Sequence, residues 1–135
     1  MTTNYRDVPE LQKYIDLVEN EGKNGVKKCC KWQKKLIKFV KKCFENENLT
    51  IDTEQLKKYM GLQKYFDFEL FEWEQFVFTL HCCVFREDGL PRFPDLLIFV
   101  ARGAGKNGYL AFEDFAMISP YSNLQQYDVD ICATA

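Results

Sequence analysis

The sequence predicts an α/β protein in which a helical N-terminal region precedes the beginning of a parallel β-sheet. The chain has 135 residues, of which 47% are hydrophobic, so it can bury the core of one ordinary domain. The first half contains a long, lysine-rich amphipathic helix. The second half contains an apolar strand, a glycine-rich turn and a further helix in that order. We therefore divide the chain into a helical region, residues 1–65, and a partial sheet domain, residues 66–135.

The overall composition excludes several protein classes. The net charge is −2, so the whole-chain charge balance indicates no particular partner. The longest apolar run, residues 96–101, is far shorter than the roughly 20 residues of a membrane-spanning helix, so we expect no membrane partner. The first residues lack a secretory apolar core, which predicts a cytoplasmic protein. The six cysteines include two adjacent pairs and no CxxC spacing, so we expect reduced thiols and no zinc site.

Two of the predicted helices flank the lysine-rich one. A helix over residues 9–19 is predicted because four apolar residues recur at helical spacing: Leu11, Tyr14, Ile15 and Val18. The segment 21–25 contains two glycines and separates this helix from the next. Another helix starts near Asp52, because Asp52 and Gln55 have the spacing of a capping box. Gly61 is expected to end it.

The lysine-rich helix is predicted over residues 26–45. Its apolar residues fall on one arc and eight lysines fall on the opposite arc, and Trp32 and Phe39 widen the apolar side. Residues 23–45 contain nine lysines and one acidic residue, a local charge of +8. This face either contacts the phosphates of DNA or is simply solvated. Without interleaved arginines or exposed aromatic residues to read bases, any DNA binding should be nonspecific.

The second half contains a predicted βαβ unit after a buried helix over residues 72–85. The only histidine, His81, lies in this helix and is assigned to the core, whereas Glu113 and Asp114 are assigned to a solvated helix face. A parallel strand pair is expected because two apolar segments flank a helix. The unit runs through a strand at 96–100, a glycine-rich loop at 103–108, a helix at 107–118 and a strand at 129–134.

The glycine-rich loop carries the chemistry that the sequence suggests. Backbone N–H groups at a helix N-terminus carry partial positive charge, and Gly103 and Gly105 allow a backbone to curl around a phosphate. Lys106 would reach the β- and γ-phosphates of a nucleotide. The match to the P-loop pattern GxxxxGK[ST] is incomplete, because Val100 replaces the first glycine and Asn107 replaces Ser or Thr. The alternative is a glycine-rich turn between a strand and a helix that exposes a lysine.

The segment Ala101-Arg-Gly-Ala-Gly-Lys-Asn-Gly108 resembles the deviant Walker A motif of phage terminase large subunits, the ATPases that drive DNA into proheads. The aromatic segment 68–77, the link 89–95 and the segment 127–134 resemble the regions around that motif. The resemblance covers residues 5–135 and is most specific from Phe68 onward. It implies the start of a P-loop NTPase parallel sheet.

The resemblance also implies ligands and residue roles. Lys106 would bind the β- and γ-phosphates of ATP, Arg102 would stabilise γ-phosphate charge, and Asn107 would face Mg²⁺. Arg102 and Lys106 are therefore the candidate catalytic residues. The order Trp73-Glu74-Gln75 departs from the family's Trp-Gln order and leaves open whether Glu74 or Gln75 faces adenine. The positions assigned to nucleotide binding are Gly103, Ala104, Gly105, Lys106, Asn107, Gly108, Trp73 and Gln75.

The expected function is that of an N-terminal terminase fragment, truncated before Walker B and the nuclease and inactive in hydrolysis on its own. The implied partners are double-stranded DNA, the portal and the small terminase subunit, in the host cytoplasm; homo-oligomer formation stays open. One competing hypothesis is a non-enzymatic basic helical module that docks on DNA or a partner and in which a degenerate P-loop has only a structural role. Another is a different small P-loop NTPase or kinase.

Overall fold

Helices make up most of the structure, a computed structural model that describes residues 1–23 and 25–132. The α-helices are α1 (Pro9–Glu19), α2 (Lys31–Asn46), α3 (Thr53–Met60), α4 (Glu72–Cys83) and α5 (Lys106–Ile118). Two short strands, β1 (Thr50–Ile51) and β2 (Val84–Phe85), pair with each other. Three 3₁₀ segments cover Tyr5–Asp7, Gly61–Tyr65 and Pro120–Ser122.

The predicted α/β class with a parallel P-loop sheet is wrong. Among the described residues the only sheet is the antiparallel pair β1–β2, in which Thr50 lies opposite Phe85 and Ile51 opposite Val84. Residues 96–100 and 129–132 belong to no strand, and residues 133 and 134 of the predicted second strand lie outside the described chain. An apolar, β-prone run becomes a strand only when a neighbouring strand accepts and donates its backbone hydrogen bonds. Residue type alone therefore misled the prediction.

The predicted helices flanking α2 are confirmed. α1 covers residues 9–19, with Pro9 in its first turn, where proline leaves no hydrogen bond unmade. α3 is capped by Asp52, whose Oδ1 accepts a hydrogen bond from the Gln55 backbone N–H at 3.0 Å. Gly61 follows the last residue of α3, although the chain continues there as a 3₁₀ turn.

The lysine-rich helix begins five residues later than predicted. Cys30 has extended backbone angles, and its N–H donates to the side-chain oxygen of Gln33 at 2.8 Å. The Cys29 N–H donates to the Glu21 carboxylate at 2.7 Å instead of to a helical carbonyl. Because these side chains satisfy the backbone outside a helix, residues 26–30 remain non-helical in front of α2.

α4 forms the centre of the core, as its mostly apolar sequence predicted. Phe76 and Phe78 are fully buried. Phe76 packs on Tyr14 of α1 at a ring distance of 5.0 Å, and Phe78 packs on Tyr59 of α3 and Phe112 of α5 at 5.4 and 5.3 Å. Contacts between aromatic rings thus join three helices, α1, α3 and α5, to α4.

α2 lies on the core by the face that its periodicity predicted, which buries Ile37, Val40 and Cys43. Trp32 and Phe39, which were expected to widen this apolar side, are instead 64% and 51% exposed. All six cysteines are free thiols, as the sequence predicted. None of the described helices is both long enough and apolar enough to cross a bilayer.

Candidate phosphate-binding loop

The predicted loop is a tight turn that leads directly into α5. The Ala104 N–H donates to the Ala101 carbonyl at 3.2 Å. Gly103 and Gly105 have φ of +78° and +91°, a region that residues with a side chain rarely adopt. α5 begins at Lys106, immediately after Gly105 and one residue earlier than predicted. The glycine-rich turn and the helix after it therefore lie where the sequence placed them, without the strand expected before them.

The inner side of the loop rests on residues at the beginning of α4. A Cβ atom at Gly105 would lie 2.6 Å from Glu74 Oε1 and 3.0 Å from the Phe71 ring. A Cβ atom at Gly108 would lie 3.3 Å from the Phe68 ring. At Gly105 the backbone therefore approaches a neighbouring side chain too closely for a side chain of its own, and at Gly108 an added methyl group would be tight against the Phe68 ring. These two glycines hold the loop against the residues around the start of α4.

The outer side of the loop offers hydrogen-bond donors and positive charge. Gly105 is the N-cap of α5 and has no side chain to cap the first N–H groups of the helix. These groups carry the positive end of the helix dipole. Lys106 is half-buried in the first turn, and Arg102 and Asn107 are exposed beside it. This arrangement can bind an anion through the backbone and supply a lysine and an arginine to its charge.

The two aromatic-segment residues assigned to nucleotide binding, Trp73 and Gln75, both make contacts within the fold. Trp73 is half-buried and packs on the ring of Tyr109 at 5.9 Å, so it holds α4 against α5. The Gln75 side-chain amide donates to the Leu70 carbonyl at 2.8 Å and therefore binds its own helix start. Of the adjacent pair Glu74 and Gln75, Glu74 is the residue whose side chain contacts the loop glycine.

The Glu74 carboxyl is the most deeply buried acid beside the loop. It is 2% exposed, and its Oε2 accepts a hydrogen bond from the Phe71 N–H at 2.8 Å. Burial raises the pKa of this carboxyl, because the charged form loses water that one backbone hydrogen bond does not replace. The interior side of the loop is therefore acidic, whereas its outer side is basic.

A second polar cluster, which the interpretation of the sequence missed, joins α4 to α5. Glu113 was predicted to be solvated, but it is 8% exposed, and its Oε1 lies 3.2 Å from His81 Nε2. His81 Nδ1 lies 2.8 Å from the Phe93 carbonyl, and Cys82 Sγ lies 3.7 Å from Glu113 Oε1. Burial, with the Glu113 charge as a further cause, raises the pKa of the Cys82 thiol.

A signal for this cluster was present in the sequence. Residues 109, 112, 113 and 116 recur at helical spacing, and all four are buried in α5. Glu113 lies four residues after Tyr109 and three before Ala116, so the period of α5 places it on the inner face. Its acidic side chain led to the prediction of a solvated residue, whereas its position on the helix predicts burial.

The described residues contain no group of three or more His, Cys, Asp or Glu side chains placed to hold a metal ion. Asn107, the one predicted metal-facing residue, is exposed at the second position of α5. Its amide oxygen could supply one ligand to a hard cation, and Mg²⁺ in nucleotide sites takes most of its other ligands from phosphates and water.

Comparison with protein-family models, with curated proteins and with solved structures found no match to this chain.

Proposed function

We propose that residues 101–108 bind the phosphates of ATP and that the chain is a nucleotide-binding part of a terminase-type motor for viral DNA. The observation that carries this proposal is the geometry of the α5 start. Two positive-φ glycines lead into a helix that has no side-chain cap, and its first residue is Lys106. Uncapped N–H groups, a lysine and a glycine-rich turn are the elements from which phosphate sites are built.

Different residues of the loop would contact different parts of a bound triphosphate. The N–H groups of Gly103 and Gly105 and of the first turn of α5 would donate to phosphate oxygens, whereas the Ala104 N–H, which the sequence assigned to the same role, already donates to the Ala101 carbonyl. Lys106 would place its ammonium group between the β- and γ-phosphates, and Arg102 would neutralise γ-phosphate charge. Asn107 would contribute one oxygen to a Mg²⁺ ion held mainly by the phosphates. Double-stranded DNA, the portal and the small terminase subunit belong to this proposal as partners.

The competing proposal is a non-enzymatic binding module in which the loop serves only the fold. The observation that favours it is the packing of Gly105 and Gly108, which contact Glu74, Phe71 and Phe68 on the inner side. These contacts by themselves would explain two of the glycines. They do not explain Lys106, Arg102 or the uncapped helix start, and this is why we place nucleotide binding first.

Titration with a fluorescent ATP analogue in the presence of Mg²⁺ distinguishes the two proposals. A charge-assisted hydrogen bond contributes about 1.5–3 kcal/mol, so Lys106→Ala should weaken binding by about 10- to 150-fold. Lys57→Ala, which removes an exposed lysine of α3, is the matched control and should leave the affinity unchanged. Equal affinity of wild type and Lys106→Ala, or no binding by the wild type, would contradict the nucleotide site.

A further inference from the structure

One edge of α2 combines exposed aromatic rings with lysines that have no acidic partner among the described residues. We call it the basic-aromatic strip, and it consists of Lys31, Trp32, Lys35, Lys38, Phe39 and Lys42. All six side chains are exposed. Lys41 and Lys34, on the other flank of the helix, form ion pairs with Glu19 and Glu21 of the α1 region. Within the part of the chain that the structure describes, the four lysines of the strip form no ion pair.

Trp32 is the most exposed aromatic residue of the strip, and two lysines surround it. The ammonium groups of Lys31 and Lys35 lie 5.3 and 4.8 Å from the centre of its ring. The ring is 64% exposed, so a face or edge of it remains available to a ligand. The attraction of a cation to the face of an aromatic ring is weak at exposed sites, so both ammonium groups remain available to a phosphate.

Phe39 forms a second exposed ring two turns further along the same edge. It is 51% exposed, and the ring of Phe93 packs on it at 6.5 Å in an edge-on arrangement. Phe39 lies seven positions after Trp32, a distance of about 10 Å along a helix that rises 1.5 Å per residue. That distance is about three base steps of a stacked strand, at about 3.4 Å each.

Positive charge and exposed rings at this spacing fit a single strand better than the other polyanions. Single-strand binders combine a basic track for the phosphates with aromatic side chains on which bases stack. A duplex offers phosphates to lysines but hides its base faces, so it would leave both rings unused. A membrane-binding helix needs its apolar face free for lipid, whereas that of α2 is buried in the core by Ile37, Val40 and Cys43.

We propose that the basic-aromatic strip binds single-stranded DNA, with phosphates on its lysines and unpaired bases on Trp32 and Phe39. The choice of DNA rests on the proposed function, whereas the preference for an unpaired strand rests on the strip itself. Glu45 is the acidic residue on the lysine side of α2, and it lies near the far end, next to Lys42. We therefore expect the strand to be held most strongly toward the Trp32 end.

Fluorescence anisotropy with a labelled oligothymidine of 20 nucleotides, at two salt concentrations, tests this site. Base–aromatic stacking is worth about 1–3 kcal/mol, so Trp32→Ala should weaken binding by about 5- to 150-fold, and Trp32→Phe should restore most of the affinity. Lys31→Ala/Lys35→Ala should flatten the dependence of affinity on salt. The double variant Lys57→Ala/Lys58→Ala, which removes two exposed α3 lysines, is the matched control.

Three results would overturn the inference. The first is the absence of oligothymidine binding at low salt. The second is duplex binding of equal strength that Trp32→Ala leaves unchanged, which would leave only a nonspecific basic face. The third is binding to phosphatidylserine-containing vesicles that depends on Trp32 while oligothymidine does not bind. If the wild-type protein does not bind oligothymidine but still binds the ATP analogue in a Lys106-dependent way, this inference is refuted and the nucleotide site is not.

Discussion

Replacing Gly105 by alanine tests whether the loop is held against α4 as the structure indicates. Two effects act at this position. The left-handed φ of +91° is unfavourable for any residue with a side chain. In addition, the new Cβ atom would lie 2.6 Å from the Glu74 carboxylate and 3.0 Å from the Phe71 ring. Gly103→Ala is a natural control, because Gly103 has a similar φ of +78° but no atom within 4 Å of its Cβ position.

The magnitude follows from adding the two effects. The left-handed conformation costs an alanine about 1–2 kcal/mol. Forcing a methyl group into a filled site costs about 1–3 kcal/mol more, and Glu74 cannot move freely because it is 2% exposed. We therefore expect Gly105→Ala to lower the free energy of unfolding by about 2–5 kcal/mol and Gly103→Ala by about 1–2 kcal/mol. Reduced freedom of the unfolded chain affects both variants equally and cancels in the comparison.

Urea unfolding followed by far-ultraviolet circular dichroism measures this difference. With a slope of about 2 kcal/mol per molar urea, Gly105→Ala should have a midpoint about 0.5–1.5 M below that of Gly103→Ala. In a Glu74→Ala background the extra loss at Gly105 should shrink, because the alanine would then have room. Equal midpoints for the two glycine variants would refute the close approach of loop and helix, since backbone strain alone would then account for both.

Two further predictions follow from buried ionisable groups. Burial raises the pKa of Glu74, so its ionisation lowers the stability of the folded protein as the pH rises from the ordinary pKa of 4.5 through the raised pKa. Glu74→Gln should therefore raise the melting temperature at pH 7 but not at pH 4. The same rise in melting temperature at both pH values would contradict a raised pKa. Burial also raises the pKa of the Cys82 and Cys83 thiols, which makes them unreactive in the folded protein. In a timed maleimide reaction followed by mass spectrometry, the exposed Cys30 and Cys132 should be modified first. Cys82 and Cys83 should be modified only in denaturant.

The candidate loop was predictable from the sequence because its features are local. Glycines at 103 and 105 and the change to helical periodicity after them specify a turn and a helix start without reference to distant residues. The surroundings of the loop were not predictable in this way. Which of Glu74 and Gln75 faces the loop depends on the rotation of α4 in the core, and that rotation is set by the packing of Phe76 and Phe78.

The sequence by itself determined the elements whose signals are local. These are the amphipathic face of α2, the Asp52 cap of α3, the buried character of α4 and the glycine turn before α5. Periodicity, caps and glycine conformation act within a few residues, so they can be read along the chain.

Only the tertiary structure decided the fold class, the environment of Glu113 and the exposure of Trp32. A strand exists only beside another strand, and the described part of residues 96–100 and 129–134 has no such neighbour. The period of α5 places Glu113 on the inner face, but its contacts with His81 and Cys82 depend on how α4 and α5 pack. Trp32 is exposed because the described residues leave that edge of α2 uncovered. Burial and pairing depend on which distant segments meet, and the linear pattern does not contain that information.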